Sequence, residues 1–328
     1  MKIVVDAMGG DHAPQAVIAG VAEAIKEFNV NIALVGIKER VEAELKKYSI
    51  PRERIEVIHA PEVVEMHDPA TVTLRKKKDS SISIGIDLLK QDGYDAFVSA
   101  GNTGAVVAAA TINLGMLKGV ERPAIGLVIP TLKKFSFLID VGANTDPKPE
   151  HLLQSAQMAS VYAKVVLGLD RPTIGLVNIG EEAGKGTGFS KEAYKLMEGR
   201  LKNFIGNVEA NEVFSGKSDC IICDGFVGNI VIKVAEGLME SAGALIKREI
   251  KKSPFALLGA AIMKNRLYHV KKWADYTEYG GAPLLGVNGL VMISHGRSSP
   301  KAIKNAIKAT AREVEHNIIE HMVKETAG

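Results

Sequence analysis

The sequence predicts an α/β protein whose doubly wound, mainly parallel sheet carries helices on both faces. Three observations support this. Short runs rich in β-branched residues alternate with amphipathic helical stretches from the first residue onward. Those runs are apolar almost throughout, as in strands buried on both sides. Turns rich in Gly, Asn and Ser separate them, and no repeat, low-complexity tract or Pro/Ser linker interrupts the alternation.

Taken in order, residues 2–5 (KIVV) form a first strand, and residues 14–28 a helix with Val17, Ile18, Val21, Ile25 and Phe28 on one face. Residues 31–35, 55–58, 96–99, 125–129, 135–141, 173–179 and 220–223 read as further strands, with helices between most of them. Residues 96–117 carry no charge and invite a membrane reading, but the turn Ser99-Ala100-Gly101-Asn102-Thr103-Gly104 splits them. The helical remainder would reach roughly 21 Å against a hydrocarbon core of about 30 Å. It is therefore expected to be a buried helix. Residues 290–294 form a last strand, and residues 300–324 a last helix that returns to the first half. The chain is expected to be one unit over residues 1–328. Within it, one α/β subdomain comprises 1–140 plus 290–328 and a second comprises 141–289.

Composition narrows the function. A chain of 328 residues with 46% hydrophobic and 24% charged residues is an ordinary globular one. A formal net charge of +3 and only 5% aromatic residues argue against nucleic acid as a partner. Two cysteines make no disulfide framework, and the apolar start is cut by Asp6, so a cytoplasmic protein is expected.

Several motifs fail on inspection. Gly180-Glu-Glu-Ala-Gly184-Lys185-Gly186 has one residue too few between its glycines for a nucleotide loop, and Gly186 stands where Ser or Thr should hold magnesium. No G-x-G-x-x-G follows the first strand. Cys220 and Cys223 are three apart in a strand, which puts them on opposite faces. His316 and His321, five apart on a helix, do not share a face. No metal site and no cofactor is expected.

What remains is a set of turns placed after strands. They hold Gly9, Gly10, Asp11 and His12; Ser99, Gly101, Asn102, Thr103 and Gly104; Asn144; Gly180 and Lys185; and Asp224, Gly225, Gly228 and Asn229. Glycine permits close backbone approach, and free N–H groups at a helix start attract anions. Any one such turn is explained by a tight bend and an N-cap. Five, each also bearing Asn, Asp or Glu, point to a cleft that handles phosphate.

AMGGDHAP at 7–14, SAGNTGA at 99–105, DVGANTDPKPEHL at 140–152, NIGEE at 178–182 with Lys185-Gly186, DGFVGN at 224–229, YGGAPLLGV at 279–287 and ISHG at 293–296 occur in one order. In these the chain resembles the acyl-carrier-protein:phosphate acyltransferase family along nearly its whole length. Residues 38–49 and 191–209 are the variable stretches. The resemblance implies transfer of a fatty acyl group from acyl carrier protein to inorganic phosphate, giving acyl phosphate for phospholipid synthesis. It implies a fold similar to phosphotransacetylases and isopropylmalate-type dehydrogenases, a homodimer, and no need of metal or nucleotide.

The chemistry suits the residues. Phosphate is already a charged nucleophile, so orientation and charge are the obstacles. The turn at 99–104 is the expected phosphate pocket, Lys185 the expected cation and Asn229 the expected donor to the thioester carbonyl. His12 and His295 sit in glycine turns, where proton transfer and turn-stabilising hydrogen bonds remain equal alternatives. A protruding helical hairpin is expected over 247–272. There Lys247, Arg248, Lys251, Lys252, Lys264, Arg266, Lys271 and Lys272 flank the apolar run 255–263 against one acid, Glu249. Leu257, Leu258 and Ile262 are expected to touch an anionic membrane, or else to pack on a partner subunit. Two other functions stay open: a phosphotransacetylase-like enzyme using short acyl-coenzyme A, and a non-enzymatic membrane-associated regulator of lipid synthesis. A dehydrogenase is disfavoured by the missing dinucleotide and metal signatures.

Overall fold

In the computed structural model, residues 1–69, 76–274 and 280–326 are described. Tyr279 of the sequence motifs and the side chains of Lys271 and Lys272 lie outside the described residues. Eleven strands are present among them: β1 Lys2–Asp6, β2 Asn31–Gly36, β3 Ile55–His59, β4 Ala96–Ser99, β5 Ala124–Pro130, β6 Phe135–Ile139, β7 Ile174–Asn178, β8 Phe204–Glu209, β9 Cys220–Ile222, β10 Ala282–Leu285 and β11 Leu290–Ile293. The helices are α1 Gln15–Glu27, α2 Lys38–Leu45, α3 Ser81–Leu88, α4 Thr103–Asn113, α5 Pro149–Val165, α6 Gly188–Arg200, α7 Gly225–Lys251, α8 Pro254–Ile262, α9 Lys264–Ala274, α10 Pro300–Glu315 and α11 Ile318–Thr326.

The strands make one sheet in the order β3-β2-β1-β4-β11-β10-β5-β6-β9-β7-β8. Pairing is parallel except at β11–β10, β10–β5 and β5–β6. Three reversals leave β6, β9, β7 and β8 running opposite to β1–β4, β5 and β11. Loops that follow strands in the two halves therefore leave by opposite edges of the sheet.

One face carries the core of Ile3, Val5, Ile32 and Leu34 against α1 and α10, continued by Phe137, Ile139, Leu176 and Cys220 against α5, α6 and α11. On this face Tyr162 stacks on Phe137 at 4.4 Å and donates its hydroxyl to buried Glu313 of α10 at 2.8 Å. The other face carries α3 and α4 over Val4, Phe97, Ile125 and Val291, and α7 over Leu127, Ile129, Leu138 and Ile221. Ile125, Leu127 and Ile129 alternate along β5, so α4 and α7 lie on the same face. Val141 and Ala282 pack into both clusters there and join them.

The expected parallel sheet with helices on both faces is present, with differences in detail. The last helix is two, because Asn317 turns left-handed at φ 49° between α10 and α11. Asn tolerates that region better than most residues. The buried helix expected over 104–117 stops at Asn113, ahead of Gly115 at φ 76°. Only Cys220 lies in β9; Cys223 follows it, and the two enter clusters on opposite faces. The segment 247–272 comprises the end of α7, then α8 and α9, where one hairpin is expected from sequence.

Candidate functional site

Three neighbouring strands, β1, β4 and β11, deliver the first group of turns. Asp6, at the end of β1, is buried; its Oδ1 accepts the Met8 N–H at 3.0 Å and its Oδ2 accepts the Ser99 hydroxyl at 2.7 Å. Burial pushes the Asp6 carboxyl above the usual range, against the pull of these donors. Ser99 Oγ in turn accepts the Gly101 N–H at 3.0 Å. A side chain at Gly9 would put Cβ 2.5 Å from Asp6 Oδ2 and 2.7 Å from Gly101 N, so that approach requires glycine. The third turn closes the group: Ser294 N–H donates to Ser99 O at 2.8 Å, and Asp11 N–H to Gly296 O at 2.8 Å. Gly9, Gly10, Asp11, His12, Ser99, Gly101 and His295 are thus brought together. His12 and His295 are exposed, and His295 Nδ1 accepts the Arg297 N–H at 3.1 Å.

Asn102 starts α4. Its Oδ1 caps the Ala105 N–H at 3.0 Å, and its Nδ2 holds the carbonyls of Met66 and Asp68 at 3.1 and 3.0 Å. Asn102 therefore fixes the helix start and the loop beside it. Thr103 and Gly104 are exposed in the first turn, where amide N–H groups and the helix dipole favour an anion.

The second group forms around β6 and β9. Asp140 is buried directly after β6; its Oδ1 accepts N–H groups of Ile125, Gly142 and Ala143 at 3.1, 3.0 and 2.9 Å. Its Oδ2 accepts the backbone and side-chain amides of Asn144 at 2.7 and 3.1 Å. Burial raises its pKa while those donors oppose the rise. Asn144 O accepts the Gly225 N–H at 2.7 Å, and Asp224 Oδ1 caps α7 at Phe226 and Val227 at 3.0 and 2.9 Å. A Cβ at Gly228 would overlap the Asp140 carbonyl oxygen and stand 3.0 Å from Cys223 Sγ. Asn144, Asp224, Gly225, Gly228 and Asn229 are so assembled into one helix start. The Asn229 carboxamide, half-buried beside Gly142, has no hydrogen bond among the described residues.

Lys185 lies on the loop after β7, next to β9 in the sheet. Its side chain is 50% exposed and its Nζ stands 3.8 Å from Glu182 Oε1. The loop backbone is fixed from below: buried Asn178 donates to Lys185 O at 3.2 Å and buried Asn207 to Glu182 O at 2.9 Å.

The five turns, expected to line one cleft, therefore gather among the described residues as two sets at opposite edges of the sheet, with α4 and α7 over the same face of it. Sequence reasoning did not single out Asp6, Asp140, Asn178 or Asn207. An acid directly between an apolar strand and a glycine turn is the signal that marks the two aspartates. Both thiols are buried, and burial pushes Cys220 and Cys223 well above the usual thiol range. Among the described residues no group of three His, Cys, Asp or Glu is placed to hold a metal, and no helix is long and apolar enough to cross a membrane. Leu257, Leu258 and Ile262 are exposed on α8, no residue of which is buried.

This architecture is that of the phosphotransacetylase fold. A phosphotransacetylase from Streptococcus pyogenes superposes with a TM-score of 0.65 at 18% identity, covering 96% of this chain and 94% of that one. A branched-chain phosphotransacylase from Enterococcus faecalis V583 gives 0.58 at 13% identity, covering 96% and 99%. At such identities the likeness concerns the fold. The chain belongs to the family whose model is described as fatty acid synthesis protein, matched over residues 1–321. Relatives named phosphate acyltransferase include one from Alkaliphilus oremlandii, 47% identical over 98% of this chain and 96% of its own. Another, from Desulfitobacterium hafniense strain DSM 10664 / DCB-2, is 48% identical over 99% and 97%.

Proposed function

We propose that this protein is a phosphate acyltransferase that moves a fatty acyl group from acyl carrier protein onto inorganic phosphate, supplying acyl phosphate for phospholipid synthesis. One observation carries the reading: identity of 47% to phosphate acyltransferases across essentially the whole chain. The site chemistry agrees with it. In the reaction an oxygen of hydrogen phosphate forms a bond to the thioester carbonyl carbon. The C–S bond then breaks, and the proton carried by the phosphate ends on the departing thiol. No group on the enzyme need be acylated, and neither buried thiol is fitted to be.

The protein's task is to hold two negative charges close together. Phosphate is assigned to the set that holds Lys185 and, at the start of α7, Asn229. The open amides of Thr103 and Gly104, with Ser99 and Gly101 behind them, lie at the opposite edge of the sheet and offer a second anion site. Lys185 supplies the cation; a unit charge at 4 Å contributes about 4 kcal/mol at an effective dielectric of about 20, and less while the side chain stays half-exposed. Asn229, at the start of α7 with its amide unengaged, donates to the carbonyl oxygen as it becomes negative. Holding these groups before reaction avoids reorganisation during it.

We assign the cytoplasm as the location, with peripheral contact to anionic membrane through α8. Phe255, Leu258 and Ile262 there are 87%, 62% and 78% exposed, between basic residues of α7 and α9. Burial of Leu257, Leu258 and Ile262 would contribute about 1.5–3 kcal/mol each, and each neighbouring cation about 1 kcal/mol. The homodimer is supported by Phe226, Ile230, Val234 and Leu238, which stay exposed at four-residue intervals along α7. Phosphate-dependent loss of acyl carrier thioester, compared with coenzyme A thioesters of several chain lengths, tests the donor. Equal or faster turnover on short coenzyme A esters would favour a phosphotransacetylase instead.

A further inference from the structure

We propose that Asn207 is a positioning residue that, through Asn178, fixes the loop carrying Lys185 so that its ammonium stands ready for phosphate; this rests on the assignment of Lys185 above. The two asparagines are buried side by side, with Asn178 Nδ2 donating to Asn207 Oδ1 at 3.1 Å. Each then spends its remaining capacity on the same short loop. Asn178 Nδ2 holds Lys185 O, its Oδ1 accepts the Ile179 N–H at 2.9 Å, and Asn207 Nδ2 holds Glu182 O. Those carbonyls bracket a turn closed by the Lys185 N–H to Glu182 O at 3.0 Å.

β8 is deformed to make this possible. Ile174 pairs with Phe204, but Leu176 pairs with Asn207, so β8 carries one extra residue where β7 has none. The bulge contains Gly206 at φ 96°, the left-handed conformation glycine adopts readily. Without it Asn207 would fall one register out and its side chain would point to the other face. Gly186, at φ 90°, would overlap Asn178 Oδ1 and Ser190 Oγ if it had a side chain. Gly180 leaves room for the lysine stem: a Cβ there would stand 3.0 Å from Lys185 Cγ. The clamp grips backbone alone. The ammonium end stays outside it, at 3.8 Å from one carboxylate. A loop held merely for stability would not need two buried carboxamides at the two ends of the turn that presents a half-exposed lysine.

The test is a double-mutant cycle on turnover at saturating phosphate, read beside amide hydrogen exchange of residues 179–186 and a melting temperature. Asn207→Leu removes the hydrogen bonds at similar volume. Asn207→Asp keeps the acceptor for Asn178 and loses the donor to Glu182 O, and serves if the leucine variant does not fold. Either is expected to speed exchange in 179–186 and to lower kcat by about 10- to 100-fold, the scale of an ångström of misplacement. In a Lys185→Ala background the same change should lower kcat by no more than about 2-fold, because the group it positions is gone. A full additional loss in that background would show that Asn207 acts on the fold at large and would overturn the proposal. Unchanged exchange with unchanged kcat would also overturn it. Ordinary turnover of Lys185→Ala alone would instead remove the assignment of the lysine on which the proposal stands.

Discussion

Gly228→Ala places one methyl group against the part of the site that aims Asn229. The new Cβ would overlap the Asp140 carbonyl oxygen, with the carbonyl carbon and Cys223 Sγ each 3.0 Å away. Ordinary contact needs about 3.5–4.0 Å, so the first turn of α7 must retreat by more than about 1 Å or Asp140 must move. Asp140 is held by five N–H donors, so the helix start yields first. Overpacking of this kind destabilises by about 1–3 kcal/mol. The larger effect is on catalysis: Asn229 and the capped amides at 226–227 move together, and misplacement by about 1 Å lowers turnover on the order of 10²-fold. Gly243→Ala on the same helix, off the exposed apolar stripe, is the control, since nothing lies within 4 Å of a Cβ there. It should raise stability by about 0.5–1 kcal/mol and leave turnover unchanged. Phosphate-dependent thioester loss and thermal unfolding of both variants make the comparison. Turnover of Gly228→Ala within about 3-fold of the parent, with stability lowered, would refute the placement of Asn229 at the reacting carbonyl.

Lys185→Ala should lose about 10²–10³ in kcat with the fold intact, and Lys185→Met nearly as much, as steady-state kinetics will show. Cys223→Ser should keep most activity; a trapped acyl-Cys223 in the absence of phosphate, seen by intact-mass measurement, would contradict direct transfer. Changing Leu257, Leu258 and Ile262 together to Glu should release the protein from anionic vesicles in cosedimentation while solution turnover persists. Dissociation into monomers instead would mark α8 as a subunit contact. Glu313, buried against the Tyr162 hydroxyl, has its pKa pushed up to about 8 by desolvation, from 4.5. The folded state then holds a proton that the unfolded state releases, so stability falls as pH rises from about 4.5 to about 8. The full shift corresponds to at most about 5 kcal/mol. Glu313→Gln should flatten that fall in denaturant titrations at pH 5 and pH 8, and an unchanged slope would contradict it.

The apolar strands were legible because an apolar run bounded by turn residues has few other readings, and β1, β2, β4 and β5 show it. β8 was missed because the bulge at Gly206 and the polar Asn207 break its pattern. β10 was missed because Pro283 inside APLL argues against a strand, yet it pairs with Met292 between β11 and β5. The reversal of direction had a signal that went unused. Only residues 131–134 separate β5 from β6, too few for a parallel crossover. That hairpin is why the five turns divide between two edges. Turn glycines announced where backbones approach closely, but not which backbones; Gly228 against Asp140 O depends on pairing β6 with β9, some 80 residues apart. The roles of Asp6 and Asp140 were hidden for the same reason, since part of what they bind comes from distant strands.

The central claim is acyl transfer to phosphate, and its most direct measurement is mass spectrometry of the products from purified protein, acyl carrier thioester and inorganic phosphate. Acyl phosphate and free carrier thiol should appear in equal amounts, at a rate set by phosphate and strongly reduced by Lys185→Ala. Thioester that survives with phosphate present, or thiol released without acyl phosphate, would contradict the account.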